Sequence, residues 1–189
     1  NYFLMTPLLF EACSGVLEAR HAVSPLRAMF KTTHFVEAEI KSVDFDRRVV
    51  NATHRPDGPE YDLPYDHLVI ALGGVTNLRI IPGSEHALAV KTLAEAIYLR
   101  NHIIDLFEQA EVETDPLRKQ ELLTFVIIGA GLVGVELMGE LTEFAEHLAK
   151  AYHRITFSNV RFHLVEAQSK VLPEMDADLG AYAAGVLER

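Results

Sequence analysis

Leu122-Leu123-Thr124-Phe125-Val126-Ile127-Ile128-Gly129-Ala130-Gly131-Leu132-Val133-Gly134-Val135-Glu136 is the stretch that decides the fold. Residues 125–128 are apolar and rich in β-branched side chains, too few for a helix, and closed by glycine. They predict a parallel strand covered on both faces. Gly129 permits a tight turn, Gly131 removes a Cβ where phosphates come close, and Gly134 lets the following helix pack against the strand. The free N–H groups and positive dipole end of that helix face the anion.

The flanks support this reading. Val133, Leu137, Leu141, Phe144 and Leu148 recur at helical spacing, with Glu136, Glu140 and Glu143 on another face. A second strand is predicted over residues 160–165, and it ends in Glu166. An acidic residue there accepts hydrogen bonds from the adenosine ribose hydroxyls and repels a 2′-phosphate, which favours NAD(H) over NADP(H). The separation of Gly129 and Glu166 exceeds the usual ~20 residues. The long helix and residues 150–159 account for the excess. A carboxylate at Glu136 gains from the helix dipole, but it would repel a pyrophosphate beside it. Its side chain is therefore expected to point away from the phosphates, toward the nicotinamide end.

Composition narrows the function classes. The formal charge is −10 with no basic block to offset it, so nucleic acid is not an expected partner. At 49% hydrophobic residues the chain can bury a core. No apolar run approaches the ~18 residues of a membrane span. The single cysteine, Cys13, rules out a CxxC redox pair within the chain and fits a reducing, cytoplasmic setting; it is expected to be a small buried side chain. The nine histidines are scattered and suggest no metal site.

Upstream of the turn, Ser24-Pro25 predicts a helix start with Pro25 at its first position. Residues 34–43 and 47–53 alternate apolar and polar, which predicts a small antiparallel meander. Arg55-Pro56-Asp57-Gly58-Pro59 is a turn, and residues 65–72 read as a further buried strand closed by Gly73-Gly74. Thr92-Leu93-Ala94-Glu95 is a capping box opening a helix to about residue 110, with Leu93, Ile97, Ile104 and Phe107 on its inner face. The polar segment 111–119, with Pro116, is the expected domain boundary.

These blocks together carry a resemblance. Met5-Thr6-Pro7-Leu8-Leu9, Ser24-Pro25-Leu26-Arg27, Phe35-Val36-Glu37-Ala38, residues 63–73 and Gly134-Val135-Glu136-Leu137 resemble type II NADH dehydrogenases (NADH:quinone oxidoreductases). That family lies within the FAD-dependent pyridine nucleotide-disulfide oxidoreductase superfamily. The resemblance implies an α/β fold, a fragment of a flavoprotein with two Rossmann-like dinucleotide-binding domains, with parallel sheets and an antiparallel meander. Residues 1–118 would be part of an FAD-binding domain lacking its N-terminal GxGxxG. Residues 119–189 would be the first half of an NADH-binding domain. The chain is thus expected to be an internal piece of a longer protein, inactive alone, with the quinone site and an amphipathic membrane anchor downstream.

By the same resemblance, Val36 would touch the adenine part of FAD through its main chain. Ala71, Leu72 and Gly73 would form a backbone bend beside the flavin, and Thr6 and Pro7 would lie near the isoalloxazine ring. Gly129, Gly131, Gly134 and Glu166 would hold NADH, with Glu136 near its nicotinamide. The implied reaction passes a hydride from NADH to FAD and electrons to a quinone, on a protein that is cytoplasmic or peripheral at the inner face of a membrane. Leu132-Val133 departs from the Pro-Thr that many relatives carry between their second and third glycines. Two alternatives stay open: a related FAD- and NAD(P)H-dependent reductase with another acceptor, of sulfide:quinone, ferredoxin or rubredoxin reductase type, and a non-enzymatic nucleotide-binding redox module.

Overall fold

A computed structural model describes residues 1–79 and 81–188; the last residue of the predicted NADH half, Arg189, lies outside them. The chain divides into two units, residues 1–3 with 23–77 and residues 4–22 with 78–189. Each is described by itself.

The first unit is built on the predicted meander. Its strands β3 (Glu39–Asp44), β4 (Val49–Thr53) and β5 (Glu60–Pro64) pair antiparallel in that order, after the short strands β1 (Tyr2–Leu4) and β2 (Val23–Pro25). A bulge between Ile40 and Ser42 shifts the β3 register. The β3–β4 turn is held by the Arg47 amide, which donates to Asp44 Oδ1 at 2.8 Å, and it places Arg48 at φ 51°. The turn at 55–59 forms as expected: Gly58 N donates to Arg55 O at 2.9 Å, and the fully buried Thr53 donates its hydroxyl to the same carbonyl at 2.6 Å. The helix after Ser24 is one short turn, α2 (Leu26–Met29), with Pro25 capping it rather than inside it.

Two expectations fail here. Strand β5 was not foreseen, although Glu60, Asp62 and Pro64 alternate with the half-buried Tyr61 and Leu63. The predicted strand at 65–72 does not form, and Val69 and Leu72 are 85% and 82% exposed. A parallel strand is stable only when neighbouring strands satisfy its N–H and C=O groups and layers cover its faces. Among the described residues no strand pairs with this segment, although Tyr65 N at its start donates to Arg48 O at 3.0 Å.

In the second unit, α1 (Leu9–Ser14), α3 (Leu93–Val112), α4 (Pro116–Leu122), β6 (Thr124–Ile128), α5 (Leu132–Ala149), β7 (Arg161–Val165) and α6 (Ala177–Leu187) follow in order. β6 and β7 pair in parallel, with Phe125 opposite Phe162 and Ile127 opposite Leu164. Those four side chains join the core formed by Leu9, Cys13, Ile103, Phe107, Leu123, Met138 and Leu141. The other face of this two-stranded sheet is uncovered among the described residues: Val126 is 58% exposed and Ile128 50%. The expectation of cover on both faces therefore fails for this pair of strands.

The segment 111–119 is more ordered than a linker. Asp115 accepts from Leu117 N at 3.0 Å and, with Pro116 at the first position, starts α4. Glu111 accepts from the amides of His153 and Arg154 at 3.1 and 2.9 Å, so α3 and the α5–β7 connection are tied together.

The capping box on α3 is present in both directions. Thr92 Oγ1 accepts from Glu95 N at 3.2 Å, and Glu95 accepts from Thr92 N at 2.8 Å. Desolvation is the largest single influence on the Glu95 carboxyl and raises it, but the amides of Lys91 and Thr92 and the Thr92 hydroxyl, all donating to the carboxylate, hold it below the ordinary carboxylate range. The buried stripe of α3 is Ala96, Ile103, Phe107 and Ala110, with Leu93, Ile97 and Ile104 only half-buried. Thr92→Ala removes the cap and should cost about 1 kcal/mol, read as a fall in Tm of about 2–4 °C for a chain of this size. Thermal denaturation followed by circular dichroism measures it; an unchanged Tm would show that α3 does not depend on its cap.

Candidate dinucleotide site

The turn between β6 and α5 is built by its glycines. Gly129 sits at φ +100°, in the left-handed region that favours glycine, and its amide donates to Val165 O at 2.8 Å. That bond fastens the turn to the end of β7. Gly134 is buried in the first turn of α5. A Cβ there would collide with the carbonyl oxygen of Gly129, so only glycine lets α5 come this close. Gly131 is different. Its φ of −73° suits any residue, and the nearest atoms to a Cβ on it would be those of the Glu174 carboxylate, from 3.2 Å.

Gly131 caps α5 without a side-chain acceptor. The first intrahelical bond runs from Val135 N to Gly131 O, so the amides of Leu132, Val133 and Gly134 have no helical acceptor. These donors lie at the positive end of an 18-residue helix. This is the chemistry that holds a pyrophosphate, and the residues present fit one.

Glu166 lies where the sequence placed it, just past β7, and it is half-buried. Its Oε2 accepts from Ala130 N at 2.7 Å and its Oε1 from Gln168 N at 2.9 Å. The amide of Ala130, then that of Gln168, holds the carboxyl below its ordinary value of 4.5. Gly129, Gly131, Gly134 and Glu166 are thus brought together around one turn. Sequence reasoning missed the rest of it. Leu172 N donates to Ala130 O at 2.8 Å from a backbone at φ 51°, and Glu174 Oε1 accepts from Leu132 N at 3.0 Å. No spacing rule marks these residues. The one signal was a carboxylate in the loop that follows the second strand.

Glu136 is exposed on α5. Desolvation, then the neighbouring Glu140 and Glu11, push its carboxyl up. Glu140 itself accepts from the Ser14 hydroxyl at 2.8 Å, so this side of α5 faces α1. Cys13 is fully buried on α1, and burial with the Glu140 charge pushes its thiol up to about 12, far from a reactive thiolate.

The residues expected on the flavin side are not gathered in one unit. Thr6 and Pro7 are exposed in a 3₁₀ turn, Thr6–Leu8, of the second unit. Val36 is half-buried and Ala71, Leu72 and Gly73 are exposed in the first. Gly73 sits at φ +69° with nothing within 4 Å of its Cβ position, so its backbone is open to close approach. Among the described residues no group of three or more His, Cys, Asp or Glu side chains is placed to hold a metal, and no helix is long and apolar enough to cross a membrane.

A parallel βαβ unit with a three-glycine turn and an acid at the second strand end defines a Rossmann-type dinucleotide site. Residues 2–189 match the family described as "Pyridine nucleotide-disulphide oxidoreductase", and the chain belongs to it. It is similar to the type II NADH:quinone oxidoreductase Ndh of Mycobacterium tuberculosis, 34% identical over 100% of this chain and 42% of that protein. It is similar to an external alternative NAD(P)H-ubiquinone oxidoreductase, B4, of Arabidopsis thaliana mitochondria, 32% identical over 100% of this chain and 34% of that protein. Among solved structures, NDH2 of Plasmodium falciparum in complex with NADH aligns with a TM-score of 0.88 at 25% identity, covering 100% of this chain and 39% of that one. The chain therefore spans well under half the length of these relatives. The α/β fold expected from the sequence, with parallel and antiparallel sheets and the likeness to two-dinucleotide flavoproteins, is the one observed.

Two measurements bear on this geometry. Gly134→Ala forces α5 off the turn and should destabilise the chain by about 1–3 kcal/mol, with thermal unfolding as the readout. A Tm equal to that of the wild type would show that the close approach is not needed. The lowered carboxyl of Glu166 stabilises the turn fully above its unfolded-state value, and that stabilisation is lost as pH falls through the lower folded value. The Ala130 amide resonance should accordingly titrate with a midpoint below 4.5. A midpoint at or above that value would detach Glu166 from the turn.

Proposed function

We propose that this protein is an FAD-dependent NADH dehydrogenase that reduces a quinone. Residues 119–189 would supply the first half of its NADH domain and residues 1–118 part of its FAD domain. The observation that supports the reading most directly is the turn at Gly129. Its Val133 and Gly134 amides have no helical acceptor, no side chain stands on Gly131, and the Glu166 carboxylate lies beside it. The relatives support it by their names, which are NADH:quinone and NAD(P)H-ubiquinone oxidoreductases.

When bound, the cofactors supply the redox chemistry: NADH gives up a hydride, the flavin relays two electrons, and with one further proton the quinone leaves as quinol. The chain's own residues bind and orient. The amides at the start of α5 would neutralise the pyrophosphate, and Gly131 would let it touch the backbone. Glu166 retains lone pairs for the adenosine ribose hydroxyls alongside its two amide bonds. Glu136 would stand near the nicotinamide end. On the flavin side, Val36 would meet the adenine through its main chain, Ala71, Leu72 and Gly73 would bend beside the ring, and Thr6 and Pro7 would lie near the isoalloxazine. No nucleophile is required, which agrees with the buried, weakly acidic thiol of Cys13. A quinone is lipid-soluble, so a cytoplasmic protein acting on it would work peripherally, at the inner face of a membrane.

NADH should bind at least about tenfold more tightly than NADPH, because Glu166 both holds the ribose and repels a 2′-phosphate. Nicotinamide fluorescence is a clean readout, since the chain has no tryptophan to transfer energy. Equal affinities would remove the argument from Glu166. In the full-length protein, Gly131→Val keeps a φ that any residue adopts, so it should leave the fold and bound FAD intact while abolishing NADH-driven flavin reduction. Persistent reduction would show that the assigned turn is wrong.

A further inference from the structure

The loop between β7 and α6 is fastened across the glycine turn at three points. Glu166 Oε2 accepts from Ala130 N at 2.7 Å, Leu172 N donates to Ala130 O at 2.8 Å, and Glu174 Oε1 accepts from Leu132 N at 3.0 Å. The third of these is unlike the others. Leu132 is the first residue of α5, and its amide is one of the donors a pyrophosphate needs. Both carboxylate oxygens of Glu174 also face Gly131, at 3.2 and 3.8 Å from the point where a Cβ would stand. The space that glycine leaves open for a phosphate is thus entered by a carboxylate of the chain itself.

We propose that Glu174 is an internal anion that competes with the dinucleotide pyrophosphate for the start of α5 and so sets the affinity of the site. This rests on the dinucleotide reading above. The physical basis is that one set of amides and one helix dipole serve either anion. A carboxylate left in place would stand against a doubly charged pyrophosphate, so binding requires Glu174 to swing out. The observed affinity is then the intrinsic affinity reduced by the fraction of molecules in which Glu174 has released Leu132. Glu174 is exposed and lies on a loop between elements, so the swing disturbs no core packing. Reduced and oxidised dinucleotides carry the same pyrophosphate, so the competition weakens both. It discriminates by phosphate and leaves a nucleoside without one unaffected.

The test compares NADH, ADP-ribose and adenosine on the wild-type chain, Glu174→Gln, Glu174→Ala and Gly131→Val, by calorimetric titration. Gln keeps an oxygen for the Leu132 amide and removes the charge, and so guards against loss of the cap. Removing the charge should tighten NADH and ADP-ribose by about fivefold, with adenosine unchanged. In free protein the Leu132 amide resonance should shift in both Glu174 variants, and in the wild type it should shift on addition of ADP-ribose. If NADH binds the wild type in a Gly131-dependent way but the Glu174 variants bind it equally or more weakly, the competition is wrong while the dinucleotide site stands. If neither the wild type nor Glu174→Ala binds ADP-ribose, the dinucleotide site falls and the competition with it. Binding by Glu174→Ala alone would support both.

Discussion

The structure depends on one close approach, that of Gly134 in α5 to the carbonyl oxygen of Gly129. No Cβ fits between them. The contact sets how near the helix axis comes to β6, and so where the unpaired amides at the start of α5 point. It also explains which side chains α5 buries. Gly134, Met138, Leu141, Ala145 and Ala149 face inward, three of them small, because a helix held this close leaves no room for a stripe of large residues. Larger neighbours, Leu137, Phe144 and Leu148, flank the stripe and are half-buried.

The electrostatics of the site follow from that geometry. Amides at the head of a helix need an acceptor, and in the free chain carboxylates provide it. Glu166 binds the Ala130 amide from the end of β7, and Glu174 binds the Leu132 amide from the loop beyond. A chain with a formal charge of −10 thus places acidic side chains at the proposed anion site. The arrangement is consistent because the two have different partners. Glu166 is aligned with the turn and, on the proposed function, with a ribose, whereas Glu174 lies where the phosphates would stand. Where α5 faces α1, desolvation, then Glu140 and Glu11, push the Glu136 carboxyl up, and burial with the Glu140 charge keeps the Cys13 thiol inert.

The apolar surfaces that stay open are informative about what a strand requires. Residues 65–72 have the composition of a buried parallel strand, and the uncovered face of β6 and β7 carries Val126 and Ile128. Composition expresses a preference for burial between layers, and only partner strands and covering elements realise it. β5 shows the converse: a polar, alternating segment became a strand because β4 offered it a complementary edge in register, Val50 against Leu63 and Ala52 against Tyr61.

Much was legible in the chain because it depends on local rules. Gly129, with its positive φ, Gly134, against the Gly129 carbonyl, the capping box of Thr92 and Glu95 and the turn at 55–59 each answer a requirement of backbone geometry or unsatisfied donors within a few residues, and the acid at the end of β7 follows from the βαβ order. What tertiary structure decided was which faces are buried and which distant residues meet. Hydrophobic periodicity weighs large side chains, so it named Val133, Leu137, Leu141, Phe144 and Leu148 for α5; Leu141 is buried as expected, whereas elsewhere close packing selected the next residue along, Gly134, Met138, Ala145 and Ala149, and left Val133 58% exposed. The same holds for α3, where Ala96 and Ala110 displaced Leu93 and Ile104 from the buried stripe. Glu174 belongs to the turn only through a loop that returns across 42 positions to the Leu132 amide, an encounter that no local pattern encodes.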